Sequence, residues 1–251
     1  MRTAFTLLAV LCGLWASAAA AADCREDQFE GVTYAICDVD LATERLTLFL
    51  YDEDGRPYGY FGTLNSALEK QGAKLGFAMN AGMYHDSRAP VGLYIENGKE
   101  FQSVITRAGP GNFGLVPNGV LCLRDGAAHV IETGRYVAQK PDCLHATQSG
   151  PMLVIDGALH PRFLPDSTSR YLRNGVGTST DGKTATFAIS NQPVNFHSFG
   201  RLFRDHLGLD QALYLDGNIS RLRAPDLMRS DIGFGALGPI IGVIEPPETA
   251  D

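Results

Sequence analysis

The chain has 251 residues, a formal net charge of −7 and 45 % hydrophobic residues, with 28 glycines and 13 prolines. The acidic balance argues against a general binder of nucleic acid or of anionic membrane surfaces. The length suits one globular domain with a sizeable core.

The N-terminus opens with Met1-Arg2, an apolar run over 4–15 and a tract of small residues to Ala22. This order of basic, apolar and small residues is that of a secretory signal peptide, too short for a membrane span. An A-x-A site at 20–22 predicts cleavage before Asp23, leaving residues 23–251 as one domain. Cleavage a few residues earlier in the alanine tract is the alternative. Loss of Arg2 takes the net charge to −8. Neither Cys12 nor Cys24 follows the small residue that lipoprotein processing needs, so no lipid anchor is expected. A periplasmic or secreted location follows.

Cys12 leaves with the signal. Cys24, Cys37, Cys122 and Cys143 remain, an even number in an exported chain, which predicts two disulfides. Three pairings exist. Cys24–Cys37 with Cys122–Cys143 is preferred because each bond joins neighbouring segments. A zinc site is the rival, but no C-x-x-C occurs.

The body of the chain reads as β. Strands are predicted over 33–39, 45–51 and 75–79, followed by a hairpin of 91–95 and 100–105 about Asn97-Gly98. A second hairpin is read about Asn118-Gly119, between 114–116 and 120–123. Asp125-Gly126, Asp156-Gly157 and Asp181-Gly182 mark three more. Helices are few. Thr63 is read as the N-cap of a helix over 64–71, and a second helix is read over 197–207 with Gly208 beyond it. An apolar strand over 213–215 follows. The expected fold class is α+β: a large, twisted, mainly antiparallel β-sheet system with a few packed helices. The tail from Glu245 to Asp251 is expected to fray.

Polar clusters fall where strands end. Leu213-Tyr214-Leu215-Asp216-Gly217-Asn218-Ile219-Ser220 places a carboxylate at a rigid strand end, with a plain turn as the alternative role. Asn80 leaves a strand into a small-residue turn, and His85 follows it as a loop histidine. Ser149-Gly150-Pro151 precedes a strand and offers a hydroxyl and backbone N–H groups. Ser149 is outside any G-x-S-x-G elbow, so a hydrolase nucleophile is not indicated. Arg173 precedes a glycine-rich strand start and can fork onto a phosphate or carboxylate. No P-loop, H-E-x-x-H or calcium loop occurs, and the six histidines form no H-x-H.

In this order the clusters resemble the phosphodiester glycosidase family, which includes the animal uncovering enzyme. The matching segments are Asn80-Ala81-Gly82-Met83-Tyr84, Pro90-Val91-Gly92, Ser149-Gly150-Pro151, Arg173-Asn174-Gly175-Val176-Gly177 and Leu215-Asp216-Gly217-Asn218-Ile219-Ser220, within residues 75–243. Ala81 and Asn218 stand where the family prefers glycine, and Met83 where it prefers an aromatic. The resemblance implies an exported hydrolase of a sugar 1-phosphodiester in a glycan or envelope polymer. Asp216 and Arg173 would be catalytic, with Asn80, Ser149, Gly150, Asn218, Ser220 and His85 binding substrate. Phosphate leaves readily, so one catalytic carboxylate suffices, with Asp156 as a candidate second. No cofactor is expected, although the composition is compatible with a loosely held divalent cation. The expected partner is a carbohydrate phosphodiester, with no nucleic acid and no stable membrane anchor. The alternative is a non-catalytic envelope protein that binds a glycan or phosphoglycan. Nothing in the sequence bears on oligomeric state.

Overall fold

Apolar runs bounded by turn residues become strands in the computed structural model, which describes residues 22–217 and 219–245. The first half contains β1 (Asp23–Phe29), β2 (Val32–Asp40), β3 (Leu46–Phe49), α1 (Phe61–Glu69), β4 (Lys74–Asn80), β5 (Tyr94–Glu96), β6 (Lys99–Gln102), β7 (Gly119–Arg124), β8 (Ala127–Glu132) and α2 (Thr133–Gln139). The second half contains β9 (His145–Ser149), β10 (Met152–Ile155), β11 (Ala158–Leu159), β12 (Asn174–Thr178), β13 (Thr184–Ser190), α3 (Phe196–Arg201), β14 (Gln211–Asp216), β15 (Leu222–Ala224), β16 (Arg229–Ser230) and β17 (Ile240–Glu245). The proposed signal segment, apart from Ala22, and Asn218 lie outside the described residues, as does the tail after Glu245.

The strands form three sheets, ordered β1-β2-β13-β12-β14-β10-β11, β16-β15-β4-β17-β3 and β6-β5-β9-β7-β8. Every strand pairing within them is antiparallel. The fold is therefore α+β with mainly antiparallel sheets, as the spacing of turn pairs predicts. One core joins all three sheets. Phe187, Leu213 and Leu215 of the first meet Phe77, Met79 and Ile241 of the second and Leu121 of the third. Such contacts fix the sheets against one another, because buried apolar area is lost if any of them shifts.

Four of the five predicted hairpins form: β5–β6, β7–β8, β10–β11 and β12–β13. The fifth, about Asn118-Gly119, does not. Residues 114–116 are not a strand, and Pro117 removes a donor that a ladder would need. Asn118 is instead buried, its Nδ2 donating to Phe113 O at 3.0 Å and its Oδ1 accepting from Thr133 Oγ1 at 2.7 Å.

The first helix also differs from expectation. It begins at Phe61 with Tyr60 as N-cap, not at a Thr63 cap, because Phe61, Leu64 and Leu68 share the buried face. The second predicted helix is α3, capped by Asn195 Oδ1 accepting from Ser198 N at 2.9 Å and continued by a π-turn over Leu202–His206. Both preferred disulfides are present. Cys24–Cys37 ties β1 to β2 at directly paired positions, and Cys122–Cys143 anchors the approach to β9. Among the described residues no helix is long and apolar enough to cross a membrane.

Candidate functional site

The C-terminal ends of β4, β9 and β14, one strand from each sheet, meet at one place. Asn80 ends β4, Ser149 ends β9 and Asp216 ends β14. Asn174, the first residue of β12, bridges the ends of β4 and β14. Its Nδ2 donates to Asn80 O at 3.2 Å and to Asn80 Oδ1 at 3.1 Å. Its Oδ1 accepts from Asp216 N at 2.9 Å and from Ser220 Oγ at 3.3 Å. Asn80 Oδ1 also accepts from Arg221 N at 2.9 Å. Both asparagines are fully buried, where each such bond is worth keeping because an orphaned amide costs about 1–3 kcal/mol.

Ser149 belongs to the same junction in a supporting role. Its hydroxyl is buried and donates to Leu215 O at 3.0 Å, one residue before Asp216. Thr147 Oγ1 donates to Ala81 O at 2.7 Å and so holds the turn after Asn80 onto β9. Gly150 is also buried, and a Cβ there would lie 2.5 Å from Asn118 Cβ. These residues bind strand ends to one another rather than lining an open surface.

Asp216 is half-buried, and its Oδ1 accepts from Gly217 N at 2.6 Å. No hairpin follows it: the chain crosses to β15 in the second sheet. A side chain at Gly217 has no room, since its Cβ would sit 2.0 Å from Tyr214 Oη and 3.4 Å from Arg173 Nη1.

Arg173 is 0 % exposed. Its Nε donates to Val194 O at 2.9 Å and its Nη2 to Ser169 O at 3.0 Å. Nη1 alone is buried without a hydrogen-bond partner. The guanidinium lies 3.7 Å from the Phe196 ring centroid, with Tyr214 and Tyr171 at 5.3 and 5.4 Å. Burial lowers its pKa and raises that of the Tyr214 phenol, against which the guanidinium works. The bidentate grip expected of Arg173 is therefore not available to a ligand from solvent: two of its nitrogens hold backbone carbonyls and the third is sealed behind Gly217.

A second guanidinium, absent from the expected set, does reach a cavity. Arg221 is 7 % exposed and lines a hollow of about 740 Å³ together with Gly217, Ser220 and the segment 231–235. None of the described residues accepts a hydrogen bond from its guanidinium or pairs with it as an ion. Arg173 likewise has no carboxylate within ion-pair distance among the described residues. Two guanidiniums without anionic partners among the described residues thus adjoin the segment after Asp216, Arg173 against Gly217 and Arg221 in the cavity with Gly217 and Ser220. Tyr84 completes the group. Its hydroxyl donates to Ala236 O at 3.3 Å, and burial together with the nearby Asp216 charge pushes its phenol pKa up.

Two expected members stand apart. His85 is exposed in a tight turn, with its backbone N–H on Ala89 O at 2.9 Å, because the chain reverses at 85–89 after leaving the cluster. Asp156 sits in the β10–β11 turn, held by Arg135 and by Gln211, the first residue of β14. Asp216 is the last residue of that strand, about 16 Å away at strand rise. That is too far for the paired carboxylates of ordinary glycoside hydrolysis. Asn218 lies outside the described residues. Ser220 is in place, its Oγ within 3.0 Å of Leu172 O and 3.1 Å of Asp216 O. Among the described residues no group of three His, Cys, Asp or Glu side chains could hold a metal ion.

Asn174 and Arg221 escaped the sequence reading although each adjoins a residue it singled out. An asparagine directly before a glycine-rich strand and an arginine directly after Gly-Asn-Ile-Ser were the available signals. Tyr84 was quoted only as part of a turn.

Comparison with known proteins places the chain among relatives. A family model described as phosphodiester glycosidase matches residues 73–224. The uncharacterized protein YigE of Escherichia coli K12 is 36 % identical over 184 residues, covering 73 % of this chain and 71 % of that protein. Among solved structures, the zebrafish N-acetylglucosamine-1-phosphodiester alpha-N-acetylglucosaminidase catalytic domain, auto-inhibited by its pro-peptide, superposes with a TM-score of 0.57. It is 13 % identical, with 88 % of this chain and 81 % of that chain covered. A hypothetical protein from Synechocystis gives 0.58 at 13 % identity, covering 89 % of this chain and 62 % of that one. A protein titled putative exported protein from Burkholderia pseudomallei gives 0.53 at 10 % identity, over 84 % and 74 %. At these identities the superpositions bear on fold alone.

Proposed function

The chain belongs to the phosphodiester glycosidase family, and from that premise we propose that it is an exported hydrolase of sugar 1-phosphodiesters. The observation that carries the reading is the Arg221 guanidinium, which lines the cavity beside Gly217 and Ser220 without an anionic partner among the described residues, while Arg173 is buried behind Gly217. A buried cation is costly unless it is paired. A phosphodiester anion beside Asp216 supplies the missing charge, through Arg221 at contact and Arg173 at longer range.

In this reading Arg221 binds the phosphodiester by charge-assisted hydrogen bonds. Arg173 is a positioning residue that fixes the Tyr214 and Gly217 surroundings of Asp216 from behind. Asp216 acts on the anomeric carbon. A water molecule adds to C1 as the C1–O bond breaks, and the bond's electron pair leaves on the phosphate oxygen. Asp216 takes the proton of the water or stabilises the oxocarbenium-like centre. Phosphate is a weak base, so the departing oxygen needs no strong acid. Asn80 and Asn174 hold the backbone of Asp216 and Arg221 at fixed separation, which keeps carboxylate and cation aligned on one ligand.

Export is supported by the N-terminal pattern and by the two disulfides, which suit an oxidising compartment. The test is a panel of glycosyl 1-phosphodiesters that varies the sugar and the alcohol. Release of reducing sugar and a phosphomonoester from at least one member is the expected result. Binding without turnover across the panel contradicts the catalytic reading in favour of a glycan-binding protein.

A further inference from the structure

The cavity beside Asp216 has two unlike walls. Arg221, Ser220 and Gly217 line it on the side of the cluster, and the exposed side chains of Leu172, Ile232 and Phe234 line it together with Arg170 and the Arg229–Asp231 ion pair. Segment 231–235 lies directly on the Arg221 guanidinium: a Cβ at Gly233 would come within 2.2–2.5 Å of three of its atoms, so a side chain there would displace the guanidinium. The neighbours on either side, Ile232 and Phe234, are 95 % and 112 % exposed.

Both ends of this segment are anchored. Asp231 N donates to Leu222 O at 2.9 Å, and its carboxylate accepts from Leu222 N at 3.0 Å and from Arg229. Leu237 N donates to Gly59 O at 2.7 Å. Two large apolar side chains, wholly in water on a segment fixed at both ends and beside a cavity, mark a contact surface more than a packing remainder.

We propose that this cavity is the aglycone subsite and takes a phosphodiester whose alcohol is an apolar chain, of the alkyl or prenyl class. The inference rests on reading the Asp216 cluster as a sugar 1-phosphodiester site. Charge and continuity select the occupant. The Arg221 guanidinium lacks an acceptor among the described residues, and Gly217 and Ser220 line the same cavity, so an anion on that guanidinium lies beside the Asp216 cluster. A group attached beyond that phosphate extends past Leu172, Ile232 and Phe234. A polar alcohol leaves those side chains wet, whereas an apolar chain removes their area and its own from water.

The test uses two esters of one sugar, the methyl and the octyl 1-phosphodiester, the octyl form kept below its micelle-forming concentration. Binding is measured by calorimetry and hydrolysis alongside, for the native chain and for the double variant Ile232→Ser/Phe234→Ser. The native chain is expected to bind the octyl ester about tenfold or more tightly than the methyl ester. In the double variant that ratio falls to within about twofold. Equal binding of the two esters by the native chain, or an unchanged ratio in the variant, overturns the proposal. Preferential binding of the octyl ester with no hydrolysis of either leaves the subsite standing and removes the catalytic reading. Sedimentation of the native chain, and not the variant, with phosphatidylcholine vesicles while the two esters bind equally also overturns it, and assigns the apolar pair to a membrane contact.

Discussion

The division of labour between the two arginines follows from what each guanidinium already holds. Arg173 gives Nε and Nη2 to backbone carbonyls and stacks on Phe196, so its removal acts first on structure. Arg221 holds nothing of the kind and faces a cavity. Substitution Arg221→Ala is therefore expected to raise KM for a phosphodiester at least tenfold with little change in Tm, the loss of a charge-assisted contact. Arg221→Lys is expected to recover only part of it, because an ammonium cannot reproduce the planar fork. A large fall in Tm with unchanged KM would place Arg221 among the structural residues. Asn174 behaves in the opposite way. Asn174→Ala removes the acceptor of Asp216 N in a buried junction, and a loss of about 2 kcal/mol or more is expected by urea unfolding, with activity lost together.

At the level of elements, each sheet contributes one strand end to the cluster, and this explains what the sequence could and could not disclose. Local signals worked where a turn type is set by its own residues. Asn97-Gly98 and Asp181-Gly182 closed the hairpins they predict, and Leu213–Leu215 lies within β14, ending at Asp216. They failed where a distant partner decides. Asn118-Gly119 looks like a hairpin pair, yet Asn118 is drawn inward by Phe113 and Thr133. Strand β9 carries no apolar signal of a strand, because His145, Thr147, Gln148 and Ser149 are buried polar residues, satisfied by groups far away in the chain. The cluster itself was legible as Asn80, Ser149 and Asp216, since strand-end polar residues before small turns are visible in sequence. The roles were not: burial turned Arg173 and Ser149 into supports, and only the fold shows that Arg221 faces a cavity. The Cys24–Cys37 bond ties the first strand to this frame across a short loop. Its removal by Cys24→Ser/Cys37→Ser is expected to cost about 3 kcal/mol in chemical unfolding. An unchanged unfolding midpoint would show that β1 holds by its ladder alone.

The whole molecule should weaken in mild acid before its surface ion pairs fail. His145 is buried in β9 and its pKa is pushed down to about 4, chiefly by burial and secondarily by Arg45. His160 is buried and shifted the same way. A histidine kept neutral in the folded chain takes up its proton first in the unfolded one. Stability is therefore full above about pH 6.5 and is lost as the pH falls towards 4. The His145 contribution to that loss is on the order of 3 kcal/mol. Unfolding midpoints measured between pH 7 and pH 4.5 should fall more steeply for the native chain than for His145→Gln, even though the variant starts lower. Equal slopes would mean that His145 is not kept neutral by the fold. The catalytic account stands on a narrower point, the single carboxylate at the junction of three sheets. The most direct measurement is the rate of sugar release from the best glycosyl 1-phosphodiester by the native chain and by Asp216→Asn, with equal Tm confirming that both are folded. A loss of at least about 100-fold in kcat is expected for Asp216→Asn, with the ester still bound. Equal rates in the two proteins would contradict it.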